Sequence, residues 1–161
     1  MHDHWQFIKS GPDGNVALFG LDIFSLDWKL AGERATVFDP LYWQKFIFDV
    51  YTVEVFGDTY KFAAGEFSNC YWGFYCKRSE KPPMNRTIAM FWDETSRGER
   101  IRNLILKNMA EQSGFEMVLD IFIVEFDFFA EKASIKYYIF EDNMPDTEIT
   151  FNELKILLTQ F

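Results

Sequence analysis

Apolar and polar residues alternate through much of 46–76, FIFDVYTVEVFGDTYKFAAGEFSNCYWGFYC, and two short turn signals, Gly57-Asp58 and Ser68-Asn69, divide it into three pieces. A period of two with turn residues at the breaks predicts an antiparallel three-stranded meander. If Gly57-Asp58 is a two-residue hairpin loop, Val55 faces Tyr60, Glu54 faces Lys61 and Val53 faces Phe62. Val53, Val55, Tyr60 and Phe62 then share one face, and Glu54 and Lys61 form a favourable opposite-charge pair on the other. A second tight turn at Ser68-Asn69 sets Glu66 against Tyr71 and Gly65 against Trp72, where a glycine leaves room for the indole to lie across the strand. Upstream the apolar positions change parity, from Phe46, Phe48 and Val50 to Val53 and Val55, which predicts a bulge near Tyr51-Thr52.

The flanking pattern is mixed. Residues 5–9 read as a short strand closed by a loop at 10–14, with further strands at 16–19, 22–29 and 35–38 before Asp39-Pro40 breaks the ladder. The polar stretch 77–85 holds two prolines and reads as an exposed loop, and 87–92 reads as a strand. Ser96 and Glu99 have capping-box spacing, Ile101, Leu104, Ile105 and Met109 recur on one helical face, and Gly114 stands where a C-cap glycine belongs. Residues 115–129 form the most apolar strand pattern, with 134–140 as its hairpin partner. Thr150 and Glu153 repeat the capping-box spacing ahead of Phe151, Leu154, Leu158 and Phe161. The expected class is therefore α+β. A mainly antiparallel sheet, with a meander at about 46–76 and a hairpin at about 115–140, carries helices at about 97–112 and 151–160 packed on it. The size prior makes 1–161 a single globular domain.

Composition adds 31 aromatic rings, from 19 Phe, 7 Tyr and 5 Trp. Aromatic residues favour strands and bury large areas, so a phenylalanine-rich core is the plain expectation. The sharper one is a ring-lined ligand pocket floored by the meander. Its lining would be Tyr60, Tyr71, Trp72, Phe74 and Trp92, with Glu66 as an enclosed carboxylate whose pKa burial would raise. The net charge of −9 argues against nucleic acid and against an anionic membrane surface; such acidity is most often that of a soluble cytosolic surface and less often the complement of a basic protein partner. The N-terminal MHDHWQF lacks the basic-then-apolar pattern of a secretory signal, and no stretch approaches the roughly 18–20 apolar residues of a membrane helix. Cys70 and Cys76 lie about 20 Å apart along an extended strand, too far for a disulfide. Free thiols fit a cytoplasmic protein.

Chemistry is sparse. His2 and His4 stand close together at the N-terminus and make a poor metal signal, and neither cysteine has a histidine nearby in sequence. Ser68 is not in a nucleophile elbow, and 11–15 lacks the spacing of a phosphate loop. Carboxylates remain: Glu66 above all, then Asp39, Asp49, Glu116 and Asp120. No catalytic residue, metal ligand set or cofactor is assigned, and the balance points away from an enzyme. The expected function is that of a non-catalytic, acidic protein-binding domain, an inhibitor or immunity-type neutraliser of a basic partner. In being acidic, compact and poor in motifs, the chain is similar to bacterial toxin-immunity proteins, though it shares no motif from which a residue's role could be carried over. A small-molecule binding protein or small enzyme using the aromatic pocket is one alternative, and a structural or oligomerisation module is the other.

Overall fold

Alternation does organise the first half of the chain. The computed structural model describes residues 4–40, 42–139 and 144–159, and combines mainly antiparallel sheets with helices, the α+β class expected. Within the 1–161 span, contacts gather into two compact units, Met1–Met84 and Asn85–Phe161.

The first unit is a five-stranded antiparallel sheet. Its strands are β1 (Trp5–Pro12), β4 (Lys29–Asp39), β5 (Gln44–Val55), β6 (Asp58–Ser68) and β7 (Tyr71–Lys77), in the order β1-β7-β6-β5-β4. The meander β5-β6-β7 is the one expected, but its pairing is displaced. Val55 faces Asp58, Val53 faces Tyr60 and Thr52 faces Lys61. The shift of two residues preserves the faces, so Val53, Val55, Tyr60 and Phe62 are all buried together. It abolishes the Glu54–Lys61 pair: the Lys61 ammonium is instead bound to Glu33. The cause is the turn. Phe56 and Gly57 both have positive φ, 51° and 84°, so the two-residue loop is Phe56-Gly57 in the primed geometry that matches strand twist. Phe56 is exposed and bears the left-handed conformation against its preference. Phe56→Asn is expected to raise stability by about 1 kcal/mol, measured by urea unfolding, because asparagine tolerates that conformation and the ring contributes little burial.

The second turn is displaced likewise. Ser68 pairs with Tyr71, Phe67 is bulged, and Gly65 faces Gly73 rather than Trp72. The two glycines do make room for rings. A Cβ on Gly65 would overlap Phe48, and one on Gly73 would overlap Phe67. No bulge interrupts β5 near Tyr51-Thr52, where the ladder to β6 is continuous. The irregularity lies opposite, in β4 between Leu30 and Arg34. The change of parity in β5 instead records a change of cover. Phe48 and Val50 face an inner cluster with Ala35, Val37, Ala63 and Tyr75, joined by Trp5 and Phe7 from β1. Edge strands β1 and β4 approach each other, so the sheet curls around this cluster. Val53 and Val55 lie on the other face.

That other face is covered by 16–28. Instead of two longer strands, this stretch holds the short hairpin β2 (Ala17–Leu18) and β3 (Leu21–Asp22), then a single 3-10 turn, Ile23–Ser25. Leu18, Phe19 and Ile23 are fully buried. The loop after β7 is less exposed than expected, since Pro82, Pro83, Met84 and Asn85 are buried.

Among the described residues the second unit sets three helices, α1 (Arg86–Ser96), α2 (Glu99–Glu111) and α3 (Phe151–Thr159), with a four-stranded antiparallel sheet. Its strands are β8 (Glu116–Val118), β9 (Phe122–Asp127), β10 (Lys132–Tyr137) and β11 (Thr147–Thr150), in the order β11-β10-β9-β8. The strand expected at 87–92 is helical. Asn85 caps α1 by accepting from the Ile88 N–H, and Thr87, Ile88, Phe91 and Thr95 bury a helical stripe. The β-branched and aromatic content that suggested a strand is overridden by that periodicity and cap. Ser96 consequently ends α1 rather than capping α2. Gly98 is the N-cap of α2, and Gln112, not Gly114, is its left-handed C-cap. The α3 capping box forms as expected: Glu153 N–H donates to Thr150 Oγ1, and Thr150 N–H to Glu153 Oε1. Residues 115–129 are two strands, β8 and β9, broken at 119–121. Phe140 and Phe161, assigned above to the hairpin and the last helix, lie outside the described residues, as does His2.

Candidate binding surface

The aromatic site proposed for the meander is filled by the protein's own side chains. Trp72 and Phe74 project from β7 on the face covered by 16–28. Trp28 packs edge-on against Trp72, Phe74 and Phe62, with centroids 6.0, 5.8 and 4.9 Å away, and tilts against Tyr51 at 5.2 Å. Phe24 stacks on Trp28 and meets Trp72 and Phe74 edge-on. The Trp28 indole N–H donates to the Ile23 carbonyl at 2.5 Å, which fixes the ring above the sheet. Tyr60 is buried farther along the same face, with the Lys81 ammonium 5.3 Å from its ring centroid. Tyr71 is half-buried, and its hydroxyl accepts from Ser10 Oγ. Glu66 is exposed rather than enclosed, and Trp92 belongs to α1 of the second unit. Trp72 and Phe74 are thus brought together, under two rings that sequence reasoning missed. Phe24 lies in the 3-10 turn and Trp28 three residues past its end, so no periodic spacing marked the pair.

On the inner face of the curled sheet, Tyr75 is fully buried and its hydroxyl has no hydrogen-bond partner among the described residues. Burial, with the Asp39 carboxylate adding, pushes its phenol well above the usual value of 10.0. Asp39 is itself buried and accepts from the Tyr42 N–H, so it serves the turn after β4. Below pH 10 the phenol is neutral in both folded and unfolded chains. Above it the unfolded chain ionises first and holds fewer protons, so stability falls as pH rises. Tyr75→Phe should raise neutral-pH stability by about 1 kcal/mol, by removing a buried hydroxyl left unpaired. It should also reduce the alkaline loss, both read from urea midpoints between neutral pH and about pH 11.

Other reactive groups stay apart. Cys70 is a free thiol at an exposed turn, and Cys76 is a buried thiol outside any disulfide. Asp49 pairs with Arg34 at 3.4 Å, and Glu116 and Asp120 are exposed, with Asp120 beyond the end of β8. Among the described residues no three His, Cys, Asp or Glu side chains group to hold a metal.

The second unit offers a different kind of surface. Phe122, Val124, Phe126, Ala133, Ile135 and Ile149 point to the helices and are buried, so alternate residues form the opposite, outer face. There the registers Glu116↔Glu125, Glu125↔Ser134 and Ser134↔Glu148 place three carboxylates in one row across all four strands. Lys136 binds Glu125 at 2.9 Å and Lys132 binds Glu148 at 3.3 Å, so both lysines of the face are engaged. Val118 is 66% exposed on the same face, and Phe129, 100% exposed, stands at the β9–β10 turn. The Asp127 carboxylate organises that turn, accepting from the N–H groups of Phe129 and Ala130.

No family model, curated protein or solved structure matches this chain. Among the described residues no helix is long and apolar enough to cross a membrane.

Proposed function

We propose that this protein is a non-catalytic, acidic, cytoplasmic protein-binding domain that neutralises a basic partner through the outer face of the β8–β11 sheet. The observation that carries the reading is the row Glu116, Glu125, Ser134, Glu148. Like charges directly opposite on neighbouring strands cost about 0.2–1 kcal/mol, and the Lys136–Glu125 ion pair offsets part of that cost, so Glu116 facing Glu125 still favours a further cation at this face. A cationic partner turns that cost into attraction and speeds encounter. Charge balance agrees: from 85 to 161 there are fourteen acidic residues and eight basic ones. Phe129 and Val118 supply apolar contact at and beside the acidic row, as interface anchors do.

The packing of Phe24 and Trp28 over Trp72 and Phe74 weighs against the small-molecule alternative, because a ligand would have to displace both rings. The test is affinity capture from a lysate of the source cells by the immobilised protein. A strongly basic protein should be retained at low ionic strength and released as salt shortens the screening length to about 3 Å near 1 M. Recovery of no protein partner under gentle conditions overturns the proposal.

A further inference from the structure

A second surface, in the first unit, has a different character. On the face of β4 and β5 beyond the cover provided by Trp28, Trp43 is 78% exposed, Ile47 67% and Phe38 42%. The Phe38 and Trp43 rings touch edge-on, with centroids 5.4 Å apart, so the indole is seated rather than loose. Trp43 has φ 52°, a left-handed conformation that tryptophan rarely adopts, and this turns the ring outward at the start of the strand. The three side chains together expose on the order of 400 Å² of apolar surface. Patches of roughly 300–600 Å² on a monomer are often functional.

The charges around this patch identify its occupant. Arg34, Lys45 and Asp49 lie on this face of β4 and β5, and Glu66 lies on the same face of β6, two residues past Ala64, the partner of Asp49; that is two of each sign, with Arg34 and Asp49 already paired. A surface for a basic protein would be acidic and one for an anionic membrane would be basic. A surface bearing both signs in equal number is complementary to itself, and in a two-fold contact each charge meets the same patch on the other copy. For a chain of net charge −9, it is also a place where two copies approach without local repulsion. Two such patches with their polar borders bury about 1,000 Å² or more, the lower end of specific interfaces. We infer that a second copy of this chain docks here, giving a two-fold dimer centred on Trp43 in which Lys45 of each protomer faces Glu66 of the other.

Sedimentation equilibrium over a concentration series tests this. The weight-average mass should climb from 19.1 kDa toward twice that value. Trp43→Asn removes the ring while tolerating the left-handed backbone, and should remain monomeric with an unchanged circular dichroism spectrum. Lys45→Glu and Glu66→Lys should each weaken the dimer, and the double exchange should restore it, a rescue that a purely structural role for either residue would not give. A wild-type mass that stays at the monomer value overturns the inference, as does a dimer indifferent to Trp43→Asn. Binding of the monomer to phosphatidylcholine vesicles through Trp43 would assign the patch to a lipid surface and also overturn it.

Discussion

Trp28→Ala is expected to lower stability by about 3–5 kcal/mol, seen as a drop in the urea midpoint. The indole touches Phe24, Tyr51, Phe62, Trp72 and Phe74, and its N–H is bonded to Ile23. Removing it strips those contacts, frees the Ile23 carbonyl and leaves a void that neighbouring rings fill only in part. Edge-to-face pairs are each worth about 0.5–1.5 kcal/mol beyond area burial, so the site should cost more than a single half-buried ring would suggest. A near-neutral result would mean that 16–28 does not hold the sheet, and would reopen the aromatic face as a ligand site.

The second large effect is on binding. Exchanging Glu116 and Glu148 for lysine reverses both ends of the acidic row while leaving Asp127, which holds the β9–β10 turn, in place. Affinity for the basic partner should fall on the order of 100-fold, about 2.7 kcal/mol, within the range of coupling measured for close charge pairs. Stability should change by no more than about 1 kcal/mol. Glu116→Lys places a cation opposite Glu125 and should be neutral or stabilising by about 0.2–1 kcal/mol. Glu148→Lys gives up an exposed ion pair with Lys132, worth at most about 1 kcal/mol. A variant that loses binding and keeps its fold separates an interaction surface from a structural one.

Much of this architecture was legible in the chain, and the misses have identifiable causes. The faces of the meander survive a wrong register because the actual pairing differs by two residues, and alternation is blind to even displacements. Gly57 marked the turn correctly. The loop begins one residue earlier because the primed turn needs positive φ at two successive positions, and Phe56 accepts it. The parity change in β5 is real, but it records burial on opposite faces of a curled sheet, a tertiary property that no local pattern carries. At 87–92 the composition said strand, while the spacing of Ile88, Phe91 and Thr95 behind Asn85 said helix, and the spacing won. The candidate site divides in the same way. Trp72 and Phe74 were placed together by alternation along one strand, but Phe24 and Trp28, which fill the space above them, come from a segment distant in sequence. The acidic row could not be read at all, since it depends on the registers of four strands joined through loops of unequal length.

The most direct test is a calorimetric titration of the captured basic partner against wild-type protein and the Glu116→Lys, Glu148→Lys double variant, each checked by urea unfolding. The predicted result is affinity weakened on the order of 100-fold, about 2.7 kcal/mol, with the unfolding free energy within about 1 kcal/mol of wild type. Equal affinity in the two proteins would contradict the assignment of this sheet face as the binding surface.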